Sequence, residues 1–306
     1  MSRRLNSEAG KETEVIKMKD LQTYSFNLGK LAVQSLIEEA ELTPKPGLVD
    51  QNNSGSHTDM SLKTMIKSAK ALETTFREIA ETSLNRIPSQ QLREEIAVIG
   101  RRGEQAMFKA TGGVNTHKGA IWALGLLVSS AAMDLGKSGI EEIAIQAGSL
   151  ALFTDRNLPA VKTNGSFVKA RFGVNGAKGE AEQGFPHVRH FGLPILYESR
   201  KRCMNENLCR LNVLIALMAE LNDTCILHRG GAKALSSTKK RAKEILKAGG
   251  VSTAKGWQLL KQLDQSLCLQ KVSPGGSADL LAATIFMDFL DQNAKSEFKR
   301  QGALLI

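Results

Sequence analysis

Aromatic residues are scarce in this chain, at 5% of 306 residues with two tryptophans and two tyrosines. Proteins that hold single-stranded nucleic acid stack bases on aromatic side chains, so the scarcity argues against that class, and no familiar recognition motif is present. Cysteine is equally thin. The four, at 203, 209, 225 and 268, form no CxxC pair, which excludes the usual zinc frameworks and reads as reduced thiols of a cytoplasmic protein. No apolar run reaches the about 18 residues that a membrane span needs. The nearest approach, 120–133, is interrupted by Gly125, Ser129 and Ser130. The N-terminal residues lack the apolar core of a secretory signal, so the expected location is the cytoplasm. Period-two alternation is almost absent, which removes the strand signal. Gly136-Lys137-Ser138 lacks the upstream glycine of a Walker A loop, and no GxGxxG follows a strand, so any ATP site is of an uncommon kind.

What is present is helical periodicity. Leu31, Leu36, Ile37 and Ala40 recur at helical intervals until Pro44 and Pro46 stop the pattern. Met65, Ile66, Ala69, Leu72 and Phe76 predict an amphipathic helix over 61–81. Leu92, Ile96, Ile99, Ala106 and Met107 predict a second, and 140–153 a third. The strongest spacing lies at 208–221, followed by a basic helix at 233–248 and a final apolar one at 277–292. Segments 43–60 and 157–184 are dense in Gly and Asn and read as loops. The expected fold is all-α: one compact helical domain over 20–293 with its active-site loops gathered on one side. A mobile tail is expected at 1–19 and a second tail at 294–306. The net charge of +10 favours polyanionic partners: nucleic acid, acidic lipid or phosphate-rich substrates. A solvated basic face explains the same charge.

Five stretches combine turn residues with side chains able to do chemistry. In Thr43–Met60, Lys45 and Asp50 flank a Pro-Gly turn, and His57 stands two residues from Asp59. A carboxylate so placed orients an imidazole or shares a metal with it. Thr111–Leu127 carries Asn115, Thr116, His117 and Lys118 at the mouth of an apolar segment. Gly176–Pro186 holds Glu180 and Glu182, either a base and a magnesium ligand or an exposed acidic turn. Asn222–Gly231 puts Asp223 at the C-terminal end of the 208–221 helix, where the macrodipole disfavours a carboxylate. His228, Arg229 and Gly230 follow it, a grouping that suits phosphate. In Ser273–Thr284, Gly275, Gly276 and Ser277 open an apolar helix whose free N–H groups suit an anion, with Asp279 in its first turn. Capping alone accounts for Ser and Asp there equally well.

In this order, PKPGLVD with NSGSHTDM, TGGVNTHKGAI, GAKGEAEQGFP, DTCILHRGG and SPGGSADLLAAT resemble the triphosphoribosyl-dephospho-CoA synthase family, over about residues 30–290. The resemblance implies that ATP and 3'-dephospho-CoA combine to give 2'-(5''-triphosphoribosyl)-3'-dephospho-CoA, with adenine leaving. The product is the precursor of an acyl carrier prosthetic group. DTCILHRGG and GSHTDM resemble the type serving malonate decarboxylase, while NSG and THKG also occur in the type serving citrate lyase. Gln51 and Asn52 depart from a basic residue common in the family, and Lys178 from a common arginine.

The bond broken in that reaction is N-glycosidic, so its transition state resembles an oxocarbenium ion. The resemblance makes Asp223 or Glu180 the expected base and His117 the group that protonates or orients adenine. Lys45, His57, Asn115, Lys118, His228, Arg229 and Gly230, with Gly275, Gly276 and Ser277, are expected to bind substrate and phosphate. Asp59, Glu182 and Asp279 are the expected ligands of Mg²⁺. On this reading Asp223→Ala leaves the fold intact and stops adenine release. The expected partners are ATP, 3'-dephospho-CoA, and the acyl carrier subunit or its holo-transferase, with no membrane and no nucleic acid. Two rivals stay open: hydrolysis of the same ribosyl bond, and a basic helical nucleic-acid-binding protein with strong salt dependence.

Overall fold

The structure, a computed structural model, describes residues 2–158, 163–202 and 205–303, with side chains between 19 and 296 within those ranges. Cys203 lies outside the described residues. In chain order the helices are α1 (Ser2–Glu41), α2 (Leu62–Ala71), α3 (Glu73–Ser83), α4 (Gln90–Thr111), α5 (Lys118–Met133), α6 (Ile140–Ala151) and α7 (Asn164–Phe172). They continue with α8 (Gly176–Glu182), α9 (Leu193–Arg202), α10 (Glu206–Glu220), α11 (Thr224–Lys247), α12 (Ala254–Gln270) and α13 (Gly275–Ala303). A π-turn at Val188–Gly192 leads into α9. The described residues contain no strand, and the all-α expectation holds. The tails expected at 1–19 and 294–306 carry few described side chains. Their described backbone continues α1 and α13.

Helix α5 is the axis. Every residue from Ala123 to Met133 is buried. A helix apolar on all sides needs neighbours on all sides, and α1, α3, α4, α6 and α13 supply them. Fully burying one Leu or Phe side chain contributes about 1.5–3 kcal/mol, and Leu124 and Leu127 of α5, with Phe76, Leu92 and Phe286, are all fully buried. The interruptions in the apolar run serve the packing. Ser129 Oγ shares a 2.7 Å hydrogen bond with Ser83 Oγ, and Ser130 Oγ donates to the Ile143 carbonyl at 2.7 Å. Buried hydroxyls are thereby satisfied, as they must be.

Two glycines set the entry to α5. Gly112 ends α4 in the left-handed region (φ 68°), and Gly113 (φ 95°) donates its N–H to the Phe108 carbonyl at 2.8 Å. Only glycine adopts two such conformations in succession without strain. The chain reverses there and delivers Asn115, Thr116 and His117 to the start of α5.

Four local expectations change. The helix expected over 61–81 is two, α2 and α3, meeting at Leu72. The loop expected over 157–184 contains α7 and α8; Thr163 caps α7 by accepting from Ser166 N, a local bond that composition does not reveal. The basic helix expected from 233 is the second part of α11, and a break at Gly231 (φ 68°, ψ −171°) separates it from a first part that begins at Thr224 and was not expected. Helix α12, for which no element was expected, buries Leu260, Leu263 and Leu267 against α11. The basic run of α11 is partly tied down: Lys239 Nζ donates to the Glu220 carbonyl and to Asn222 Oδ1, both at 2.9 Å. An ammonium at the C-terminus of α10 is electrostatically favoured. Among the described residues no single helix is long and apolar enough to cross a membrane.

Candidate active site

Three helix N-termini converge on one cavity of about 180 Å³. Helix α5 brings Lys118, Gly119 and Ala120; α11 brings Thr224 and Cys225; α13 brings Gly275 and Ala278. Each N-terminus presents the positive end of a helix dipole, and several of the first N–H groups are taken by Asp223, Asp279 and Asn115. Oriented on one cavity, they make a strongly anion-attracting wall. From α1 and the loop after it come Glu39, Lys45 and His57; from α11, His228 and Arg229; before α13, Ser273. The five stretches expected to carry chemistry therefore contribute unequally: four reach the cavity and Gly176–Pro186 does not.

Two carboxylates hold the N-termini together. Asp223 is buried and caps α11, accepting from Cys225 N (2.8 Å) and Ile226 N (3.3 Å) through Oδ1. Its Oδ2 accepts from Ser277 N (2.8 Å) and Ser277 Oγ (2.9 Å) at the start of α13. Burial raises the Asp223 pKa, and these four donors pull it back. This corrects two expectations. Asp223 does not stand on the unfavourable end of α10 but on the favourable end of α11. As for the expected base, both of its oxygens are engaged and it does not line the cavity. The Ser277 N–H, expected for phosphate, is occupied by Asp223, and Gly276 gives that carboxylate room, with a Cβ there falling 3.2 Å from its Cγ. Asp279 makes the second bridge, from α13 to the Ala120 N–H of α5. A side chain on Gly119 would overlap Asp279 Oδ2, so glycine is required at that crossing. Unlike Asp223, Asp279 lines the cavity. Desolvation, with the charges of Glu39 and Asp223, drives its pKa well above the usual carboxylate range.

His117 is buried beneath this wall. Thr116 Oγ1 donates to Ser68 Oγ (2.6 Å), which leaves the Ser68 hydroxyl to donate to His117 Nδ1 (2.8 Å). That chain makes Nδ1 the acceptor and assigns the ring proton to Nε2. Nε2 is buried without a partner, in a residue that lines the cavity. Burial, with the charge of Lys45, lowers the His117 pKa to about 3. The ring is neutral at physiological pH, so it orients a ligand by donating a hydrogen bond and does not act as an imidazolium acid.

The cations are held differently from one another. Lys45 is buried and donates to Glu39 Oε1 (2.5 Å) and to the Glu39 carbonyl (2.7 Å). Its loop is fixed by Asp50, which accepts from the N–H groups of Lys45, Asn52 and Asn53, and by Ser56 Oγ donating to the Val272 carbonyl at 2.6 Å. Lys118 pairs with Glu104 at 2.8 Å. His57 Nε2 lies 2.9 Å from Ser273 Oγ, while its Nδ1 faces Arg229 Nη2 (3.4 Å) and Asp59 (3.6 Å). Burial, then Arg229, lowers the His57 pKa, so this imidazole is also neutral near pH 7. Asn115 accepts from the Lys118 N–H and lines the cavity, and Phe167 of α7 places its edge on the His228 ring. Gly230 lies off the cavity, packed on Ala234 and Val272. Glu39, Ser273 and Asn164 also line the cavity but were not expected there. Glu39 falls on the apolar-periodic helix α1, where only its partner Lys45 makes it significant.

Glu180 and Glu182 belong elsewhere. Glu180 is buried and accepts from His187 N (2.8 Å) and His187 Nδ1 (2.6 Å); Glu182 stands 3.6 Å from Lys178. Neither lines the cavity, and neither does Asp59, which is largely exposed beside His57. Among the described residues no three His, Cys, Asp or Glu side chains gather as a metal site. Glu180→Gln is expected to cost about 1–3 kcal/mol of stability in denaturant titration. The hydrogen bond that His187 donates to Glu180 raises the His187 pKa, so the pair's contribution is full below the ordinary histidine value and fades as pH rises through the raised one. The stability penalty should therefore shrink on the alkaline side. A loss of turnover greater than about 100-fold in folded protein would instead return Glu180 to the chemistry.

The model of a family described as ATP:dephospho-CoA triphosphoribosyl transferase matches residues 25–298. A probable 2-(5''-triphosphoribosyl)-3'-dephosphocoenzyme-A synthase of Pseudomonas syringae pv. syringae is 46% identical over 265 residues, covering 86% of this chain and 91% of that protein. A probable synthase of the same description from Azotobacter vinelandii is 47% identical over 263 residues, covering 85% and 90%. The 2-(5''-triphosphoribosyl)-3'-dephosphocoenzyme-A synthase of Klebsiella pneumoniae is 45% identical over 261 residues, covering 85% and 93%. No solved structure matches the chain.

Proposed function

The chain belongs to the ATP:dephospho-CoA triphosphoribosyl transferase family and is a transferase of the triphosphoribosyl-dephospho-CoA synthase type, and from that premise we propose how its cavity divides the labour. The observation that carries the proposal is the convergence of three helix N-termini with Lys118 and Arg229 on one cavity. That wall suits a triphosphate that must be held without being cleaved. Ligand sites commonly span about 300–1,000 Å³, so a cavity of about 180 Å³ takes the reacting centre and leaves much of the two nucleotides outside it.

His57 takes the proton from the 2'-hydroxyl of dephospho-CoA as that oxygen bonds to the ribose C1' of ATP. A neutral imidazole with a cavity position is chemically suited to this, and Asp59 and Ser273 position it. The His117 Nε2–H donates to a ring nitrogen of the departing adenine, and the neutral histidine spreads the charge that develops there. Lys118, Arg229 and the α13 N-terminus at Gly275 hold phosphate oxygens, and Lys45 keeps Glu39 in place.

Glu39 and Asp279 are the carboxylates lining the cavity. Mg²⁺ bound with nucleotide phosphates needs only one or two such ligands, and the carboxylates of Glu39 and Asp223 near Asp279 favour a cation there beside Lys45, which already pairs with Glu39. Bound to these two residues and to the phosphates, Mg²⁺ would neutralise the triphosphate.

The resemblance of DTCILHRGG and GSHTDM supports service to malonate decarboxylase, with citrate lyase as the alternative destination. The acyl carrier subunit or its holo-transferase then receives the product, in the cytoplasm where both substrates occur. The test is to mix protein, ATP, Mg²⁺ and 3'-dephospho-CoA, then measure adenine and the mass of the adduct. Adenine and the triphosphoribosyl adduct should appear together in equal amounts. Adenine formed equally well without dephospho-CoA would mean hydrolysis, and folded protein giving neither would overturn the proposal.

A further inference from the structure

A second cavity, of about 110 Å³, lies between α4, α5 and the segment after α6. Its walls include Ile79, Ile96, Ile121 and Leu126, with the charged side chains of Arg93, Arg101, Glu104 and Asp155. Arg93 is 7% exposed, and its guanidinium sits 4.8 Å from the ring centre of Trp122, which also lines the cavity. Among the described residues no hydrogen bond or ion pair reaches that guanidinium, and Nε is buried without a partner. An arginine stays charged, and a buried charge without a counter-ion is costly.

The carboxylates nearby are all committed elsewhere. Asp155 pairs with Arg101, Glu94 pairs with Arg156 at 2.6 Å, and Glu104 pairs with Lys118 at 2.8 Å. Asp155, which also lines the cavity, is the strongest favourable charge on Arg93, but it is shared with Arg101, so one positive charge is left in excess. The apolar walls do not suit a fully hydrated dianion such as phosphate. They suit one negative group carrying a short hydrocarbon tail. An apolar cavity of about 150 Å³ holds benzene, so this one holds a somewhat smaller molecule.

We propose that this cavity is a binding site for a short-chain monocarboxylate, whose carboxylate forks onto Arg93 and whose tail lies among Ile79, Ile96, Ile121 and Leu126. Trp122 covers the guanidinium from the other side and is itself fixed by Nε1–H donating to the Ala177 carbonyl at 3.1 Å. The site adjoins the active site through Glu104, which lines this cavity while holding Lys118 of the other. Nothing in the triphosphoribosyl reaction uses Arg93, so the site stands apart from the function proposed above.

Trp257→Phe leaves Trp122 as the one tryptophan of the chain, since the sequence has two. Titrating that variant with sodium propionate should give a saturable change in tryptophan emission, with sodium chloride at equal ionic strength giving none. Propionate should also raise Tm. Adding Arg93→Met should abolish the saturation and raise Tm without propionate, because the excess charge is gone. Adding Arg93→Lys, which keeps charge and loses the planar fork, should weaken binding at least about tenfold. An identical response to chloride or to inorganic phosphate would overturn the proposal. So would unaltered propionate binding in either Arg93 variant, or no response to propionate at all.

Discussion

Asp223→Ala is expected to lower the unfolding free energy by about 3–5 kcal/mol, from a lost helix cap and stranded buried donors. Four donors converge on this carboxylate: two N–H groups of α11 and the N–H and hydroxyl of Ser277. The substitution takes the acceptor away from every one of these donors in a site that is 1% exposed, where water does not replace it. Against a typical domain stability of about 5–15 kcal/mol, such a loss is severe. Urea titration should show a lower midpoint with an unchanged slope. Asp223→Asn separates the roles further. It keeps one acceptor oxygen, so it should recover part of the stability while its amide clashes electrostatically with the remaining donors. The sequence alone led to the opposite expectation, an intact fold with no adenine release. Full stability with abolished turnover in Asp223→Ala would restore that view and make Asp223 catalytic.

The reason for the reversal lies in one boundary. DTCILHRGG looks like a loop following the helix at 208–221, because it ends in two glycines. Yet the residues between Asp223 and the break at Gly231 are helical, and Asp223 is the cap that starts them. Once the helix begins at Thr224, the carboxylate passes from the wrong end of one dipole to the right end of the next. The same displacement explains Ser277, whose N–H was free in sequence terms but is filled by a residue 54 positions away. Capping partners across such a distance leave no local trace. The helical class, by contrast, was legible because α5 and α10 are written in apolar residues at helical spacing. Helix α12 carries the same spacing in Leu260, Leu263 and Leu267, but lysine, glutamine and serine between them dilute its apolar signal. Glu180 and Glu182 show the limit of reading pairs of acids. Two residues apart in a seven-residue helix, they face different partners, His187 and Lys178.

His117→Asn is expected to reduce kcat by about 10²–10³, the range for removing one donor aimed at developing charge. The asparagine Oδ1 replaces Nδ1 as acceptor for Ser68, so the Thr116–Ser68 chain survives, and what disappears is the Nε2–H. That group has no partner in the protein and is buried at the cavity. The exchange trades the orphaned Nε2–H for the amide N–H groups of asparagine in the same buried site, so stability at pH 7 should change little, by about 1 kcal/mol. The pH dependence gives an independent reading. The unfolded chain protonates this histidine near pH 6.5, whereas burial and Lys45 hold the folded value at about 3. Between those values the unfolded state binds the additional proton, and stability falls as pH falls. From pH 7 to 4 the term amounts to about 3 kcal/mol, at 1.36 kcal/mol per pH unit below 6.5. The parent should lose it and His117→Asn should not, as measured by urea titration at both pH values. A residue kept only for packing would show the reverse, with stability lost and kcat per folded molecule retained. A histidine that weakens the fold in acid, leaves its own donor unpaired and faces three helix N-termini is explained by a ligand that accepts that proton.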